Sequence, residues 1–368
     1  MSKRVTIQDI ADSLGISRNT VSKAINNSPG LSEATRVKIL QRATEMGYKQ
    51  FSYLNATDQS WLKGTESAQP PLQDADAPTR EIAFFSTRFL GGSHFALPML
   101  DQFQLELSQQ GYALTMHRIS AQELAERRLP ITFQRSRTSA ILCAELLDRD
   151  YAQMLTQVGL PLVMVDAPVF TSGTKLACDL LLMENTASID AFLGEMLTRG
   201  VQEAGFIGHA VHCRSFFERY MAFRSTMTLH GLPIREEYCL TDTWQNQEYP
   251  RSEDYRAYLK EQLSALDRLP QLFLCANDYV AMDTLQAFKE LGISCPRDVM
   301  LCGFDDAPKS AYLTPSLTTV RIRSKDIGTA AVEMLLSRIR RPDMAFRTMY
   351  VESDLIWRES APGKESVT

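Results

Sequence analysis

Arg18, Asn19, Ser22, Lys23 and Asn26 fall on one side of the stretch RNTVSKAIN, and Val21, Ala24 and Ile25 fall on the other. The polar side carries the residue types that match base edges in duplex DNA, because Arg pairs with guanine O6 and N7 and Asn with adenine N6 and N7. Arg18 and Asn19 are therefore the first candidates for reading a sequence. Lys23 could touch a base or a phosphate, and phosphate contacts position a protein without specifying a site.

A second group closes a series of apolar runs. Asp166 ends PLVMVD, Asn277 and Asp278 end QLFLCAN-D, and Asp305 with Asp306 end VMLCGFDD. Open parallel sheets bind ligands outside the carboxyl ends of their strands, so these polar residues stand where a small molecule would be held. Asp278 and Asp306 could equally cap the helices that follow. Asp305 and Asp306 are poorly placed as an acid–base pair, since neighbours on an extended strand point to opposite faces. Phe89, Phe95 and Trp244 could stack on a sugar ring or fill the core.

Catalytic and metal chemistry find little support. No Walker loop, G-x-S-x-G elbow or post-strand GxGxxG occurs, so no enzymatic activity and no cofactor are expected. The seven cysteines lie singly at 143, 178, 213, 239, 275, 295 and 302, which favours reduced buried thiols over disulfides or zinc. His209 and His212 are three apart without a ligand cluster beside them, and no metal is expected.

The elements that must position the first group are three short helices. Thr6 followed by Asp9 resembles a capping box, and Ile7, Ile10, Ala11 and Leu14 share one face, which predicts a helix over Ile7–Leu14. Gly15 supplies a turn, Ser17 caps the next helix, and Ser32 caps a third that stops at Gly47. Residues 1–50 hold eight Lys/Arg against four Asp/Glu, a net +4, while the whole chain is −5 and the remainder therefore −9. Positive charge is concentrated on the helical segment, with Arg36, Lys38 and Arg42 available to phosphates, and the rest would repel nucleic acid.

From Arg80 onward short apolar runs alternate with amphipathic stretches, the signature of βαβ units on parallel sheets. Expected strands are IAFFS, ALTMHRI, SAILCAE, PLVMVD, AGFIGH, QLFLCAN and VMLCGFDD. Helices are expected over Leu97–Gln110, Tyr151–Val158, Asn185–Arg199, Phe216–His230, Tyr279–Leu291 and Lys325–Arg338. This span exceeds one hydrophobic core, so two lobes with a cleft are the natural packing.

The segment from Val5 to Tyr48, with its pattern IxDIAxxxGxSxxTVSxxxN, resembles the headpiece of the LacI/GalR family of bacterial transcriptional regulators. The stretches LCANDYVAMDTLQAFKELGISCPRDVMLCGFDD and LTPSLTTVRI are similar to the family's ligand-binding core. The resemblance implies base reading by Arg18, Asn19 and Ser22, with Lys23 standing where Arg is common. It implies phosphate contacts at Ser17 and Thr20, and Thr6, Asn26 and Arg36 complete the DNA-binding set. Effector contacts are implied at Arg219, Asn277 and Asp305, with Asp166, Phe95 and Trp244 as further candidates. The family's Ala-Arg-x-Leu hinge motif is absent; Leu54 or Leu62 could serve as the minor-groove wedge, and residues 64–79 read as a flexible linker.

The expected architecture is a small all-α helix-turn-helix domain over 1–50, joined by an atypical hinge and linker over 51–79 to a two-lobed α/β domain over 80–360. That domain resembles periplasmic binding proteins, with an N-lobe over 80–179 and 323–342, a C-lobe over 180–320 and 343–360, and a polar tail over 361–368. The expected function is a cytoplasmic, homodimeric repressor of carbohydrate-utilisation genes, binding a palindromic operator in double-stranded DNA under control of a small sugar-like effector. No membrane association is expected. The competing class is a solute-binding receptor or sugar-acting enzyme on the same two-lobed core. The tail carries no leucine heptad, which argues against a coiled-coil tetramer.

Overall fold

A computed structural model describes residues 6–25, 32, 35, 38–39, 42–43, 46, 80–87, 95–170, 173, 175–241 and 251–363. The chain forms two compact units, 1–77 and 78–368. The expected hinge and linker over 51–79, with Leu54 and Leu62, lie outside the described residues, as do Asn26, Arg36, Phe89 and Trp244.

In the first unit α1 spans Ile7–Leu14 and α2 spans Arg18–Ile25. Thr6 and Asp9 form the full capping box, each side chain bonded to the other residue's backbone N–H, so two helix-start donors are satisfied by local sequence. Gly15 ends α1 at φ +64, the left-handed conformation that glycine adopts without a Cβ penalty. The Ser17 hydroxyl then accepts from the Thr20 N–H at 3.1 Å and starts α2. Ser32 does the same for Thr35 at 3.3 Å, ahead of helical residues at 35, 38–39 and 42–43. Ile10, Ala11, Val21, Ala24, Ile39 and Ala43 are buried together beneath these turns.

The second unit contains two parallel sheets. The larger comprises β1 (Arg80–Ser86), β2 (Tyr112–Arg118), β3 (Thr138–Ala144), β4 (Leu162–Val165), β5 (Asp179–Met183) and β11 (Thr348–Val351), in the spatial order β11-β5-β4-β3-β1-β2. The smaller comprises β6 (Ala204–Ile207), β7 (Cys239–Leu240), β8 (Leu272–Cys275) and β9 (Met300–Cys302), in the order β7-β6-β8-β9. Strand order reverses between β1 and β3 in one sheet and between β6 and β8 in the other. These are the switch points where α/β folds open a crevice. The central strands are buried on both faces, which is why they read as unbroken apolar runs.

Helices α3 (Ala96–Gln109), α4 (Ala121–Ala125), α5 (Arg149–Leu155) and α10 (Ser324–Arg340) accompany the first sheet. Helices α6 (Ala187–Thr198), α7 (Arg214–Leu229), α8 (Ser252–Ala265) and α9 (Asp278–Leu291) accompany the second. A short antiparallel pair, β10 (Thr319–Ile322) with β12 (Ser353–Ile356), lies beside the points where the chain passes between lobes. The first such crossing follows β5, the second joins β10 to α10, and the third joins β11 to β12.

The lobe boundaries differ from the sequence expectation. Strands β5 and β11, placed in the C-lobe by the divisions at 180 and 343, both belong to the first sheet, where they pair with each other. The reason is a buried ion pair: Asp179 accepts from Arg338 of α10 at 2.8 Å and from the Arg347 N–H at 2.8 Å, locking the three segments together. Such a charge is tolerated inside only when paired and hydrogen-bonded on all sides. All seven cysteines are free thiols. Among the described residues no helix is long and apolar enough to cross a membrane, and no His/Cys/Asp/Glu group of three or more is placed to hold a metal.

Candidate functional site

In the first unit Thr6, Ser17, Arg18, Asn19 and Lys23 are exposed, and Thr20 and Ser22 are half-buried. The side chains of Arg18, Asn19 and Lys23 make no hydrogen bond to any described residue. Thr6 is engaged in its capping box, and the Ser17 and Thr20 hydroxyls bond each other at 2.8 Å. Their first duty is to shape the helix starts, which places the N-terminal end of α2 outward. A helix whose N-terminal residues Arg18 and Asn19 are polar and exposed is the docking element of a helix-turn-helix.

The carboxyl ends of the two sheets of the second unit face each other. Asp166, just after β4, takes the Ser215 N–H at the start of α7 at 3.3 Å, and the Ala167 carbonyl accepts the Arg214 N–H at 2.8 Å. Those contacts join the lobes along the cleft. Asp166 stands at φ +62, Glu145 after β3 at +54, Asp305 after β9 at +116 and Asp306 at +52. L-residues adopt such backbone sparingly, and strained positions of this kind persist where surrounding structure enforces them, often at ligand sites.

Arg219, on α7, is only 2% exposed. Its Nε donates to Asn185 Oδ1 at 3.0 Å, and its Nη1 donates to the Ala276 carbonyl at 2.7 Å and to Asp305 Oδ1 at 3.5 Å. The guanidinium lies 3.5 Å from the Phe304 ring centroid. The flat cation is thus gripped by an aromatic face and by acceptors from three different elements. Among the described residues, Nη2 is the guanidinium nitrogen left without a hydrogen bond.

Asp305, with 16% of its side chain exposed, has its carboxyl pushed up to about 8, first by burial and further by the charges of Asp278, Glu145 and Asp166; Arg219 pulls the other way. Burial likewise raises Asp166. Tyr279, in the first turn of α9, is raised by burial and then by Asp305 and Glu145, so Glu145 of the first lobe acts on two groups of the second.

The other acidic residues are structural. Asp278 is fully buried and accepts from the Ala307 N–H at 2.7 Å and from the Ser310 and Thr319 hydroxyls at 2.5 Å each. Burial pushes it up to about 6. Asp306 is clamped by Arg321 at 2.7 Å and Arg358 at 2.6 Å. Asn277 caps α9, its side-chain oxygen accepting from the Val280 N–H at 3.0 Å. Phe95 is half-buried at the start of α3 and packs against the main core.

The structure brings Arg219 and Asp305 together, with Asn277 next in chain to the carbonyl that Arg219 binds, and sets Asp166 on the opposite lobe. Sequence reasoning missed Asn185, Glu145 and Tyr279. Glu145 was legible as the polar end of SAILCAE; Asn185 carried no local signal.

Comparisons with known proteins agree with this geometry. Residues 6–50 match the model of bacterial regulatory proteins of the lacI family, and residues 193–361 match the periplasmic binding protein-like domain. The chain is 25% identical over 358 residues to ExuR of Bacillus subtilis, designated a probable HTH-type transcriptional repressor, covering 97% of this chain and 98% of that one. It is 26% identical over 368 residues to the transcriptional repressor PurR of Erwinia tasmaniensis, covering 96% of each. Among solved structures, the transcriptional regulator CelR in complex with cellobiose superposes with a TM-score of 0.65 at 19% identity, covering 97% of this chain and 100% of that one. The chain joins a helix-turn-helix domain of the lacI type to a periplasmic binding protein-like domain and is a DNA-binding transcriptional regulator.

Proposed function

We propose that this regulator is a repressor whose affinity for a palindromic operator is set by a small polyhydroxylated effector held between the lobes. The observation that supports it most directly is the Arg219–Asp305 pair, buried at the carboxyl end of the second sheet beneath a cleft rimmed from the other lobe by Asp166 and Glu145. Guanidinium, carboxyl and amide groups in this arrangement match the paired donors and acceptors of adjacent hydroxyls. The similar CelR structure holds cellobiose.

In this reading Arg18 and Asn19 read base edges, Ser22 and Lys23 extend the contact, and Thr6, Ser17, Thr20, Asn26 and Arg36 hold the phosphates. Arg219, Asp305, Asn277 and Asp166 contact the effector. Two copies present two recognition helices to two half-sites. The protein works in the cytoplasm and catalyses no reaction.

Selection of duplexes from a random pool tests the DNA half of the proposal. A two-fold symmetric consensus is expected. Retention that depends on salt alone, without a consensus, would leave a nonspecific DNA binder and overturn it.

A further inference from the structure

We infer that the cleft accepts an effector without negative charge, neutral or basic, and excludes sugar acids and sugar phosphates. The inference rests on the reading of the cleft as the effector site. Proteins hold anions chiefly with arginine side chains and with the free N–H groups of helix N-termini. At Arg219 and at the starts of α7 and α9 both devices are already used internally.

Arg219 spends Nε on Asn185 and Nη1 on the Ala276 carbonyl and Asp305, so among the described residues only Nη2 is left as a donor for a ligand. One such donor suits a hydroxyl or ring oxygen. It does not make the two-pronged grip that a carboxylate or phosphate takes from a guanidinium. At the start of α7 the Ser215 N–H is taken by Asp166 and the Phe216 N–H by Cys213 Sγ at 3.5 Å. At the start of α9 the Val280 N–H is taken by Asn277.

The other described arginines near the crossings are committed too: Arg214 to Glu218 at 2.8 Å, Arg321 and Arg358 to Asp306, and Arg323 to Asp354 at 2.6 Å. Against this, Glu145 and Asp166 from one lobe act on Asp305 in the other, enough to help hold a proton on it. An anion placed between the lobes would add to a repulsion that the site already carries. A neutral polyol would not, and an amine would relieve it.

Thermal-shift and calorimetric titrations of the full-length protein with matched series on one ring test this. Each series holds the neutral sugar, its 2-amino-2-deoxy form, its uronate and its 6-phosphate, on glucose and galactose rings, with cellobiose as a neutral disaccharide. Binding is expected for neutral or amino members, with the uronate and phosphate of the same ring at least tenfold weaker. Glu145→Gln should narrow that gap by weakening the amino sugar relative to the uronate. A uronate or phosphate that binds as tightly as its neutral parent, or a gap unchanged in Glu145→Gln, overturns the inference. If no compound binds, the effector reading itself fails, and the charge inference falls with it.

Discussion

Arg219 Nε donates to Asn185 Oδ1 at 3.0 Å, and Asn185 stands at the first crossing between the lobes. The same Asn185 donates through Nδ2 to Glu218 Oε2 at 2.9 Å, and Glu218 Oε1 accepts from the Tyr350 hydroxyl at 2.8 Å. Tyr350 lies on β11 of the first sheet. A ligand that draws on Arg219 therefore pulls on a hydrogen-bonded path from cleft to crossing to the opposite lobe.

Asn185→Ala removes the centre of that path. It leaves a buried guanidinium N–H without its acceptor, at a cost of about 1–3 kcal/mol. The expected phenotype is a lower Tm, near-normal operator binding and a diminished effector response. An unchanged response would separate Asn185 from the coupling.

Arg219→Ala should be harsher, because it strands the Asn185 and Ala276 acceptors together with the Asp305 carboxyl, each unmet buried group costing about 1–3 kcal/mol. Loss of effector binding is expected in calorimetry, with Tm followed in parallel. Arg219→Lys keeps the charge but not the planar fork, and should also lose binding while retaining more stability.

Asp305 gives a pH signature. Its carboxyl holds its proton up to about 8 in the folded protein, whereas the unfolded chain releases it near the ordinary value of about 4. The stability contributed by the neutral form is complete below the unfolded value and is lost as pH rises through 8. Asp278, raised to about 6, adds a loss of the same sign confined to lower pH. Tm should fall between pH 6 and 8, and Asp305→Asn should remove part of that fall; superimposable curves would show that Asp305 does not titrate there.

Gly303→Ala is expected to destabilise without touching the cleft chemistry directly. A Cβ at position 303 would sit 2.2 Å from Asp278 Oδ1, forcing apart the carboxylate that holds Ala307, Ser310 and Thr319. Overpacking of this kind costs ~1–3 kcal/mol, read as a shifted denaturant midpoint.

Much of this was legible because its causes are local. The Thr6/Asp9 box, the Gly15 turn and the Ser17 cap each need only three or four neighbouring residues, and all three appear as expected. The central strands β3, β4, β6 and β8 announced themselves by unbroken apolar runs, whereas β5 was not read as a strand. Helix α8 was missed because its buried face is only Tyr255, Leu259 and Leu263 within a polar stretch. The membership of β5 and β11 in the first sheet was not legible, since it depends on Asp179 meeting Arg338 and Arg347 across more than 150 positions. Asn185 was hidden for the same reason: its partners Glu218 and Arg219 lie more than 30 residues away.

On DNA, Arg18→Ala should cost ~1–3 kcal/mol on the selected site and relax preference at one base pair. Competition between selected and random duplexes measures this. Equal losses on both would assign Arg18 to the phosphates.

The central claim, that cleft and operator are coupled, is tested most directly by measuring one linkage from both ends. Operator affinity is titrated with and without the effector, and effector affinity with and without the operator. Coupling of about 5–150-fold is typical of such systems, and the two factors must be equal because linkage is reciprocal. Matching factors that vanish in Arg219→Lys are predicted. An effector that binds the wild-type protein tightly yet leaves operator affinity unchanged would contradict the account.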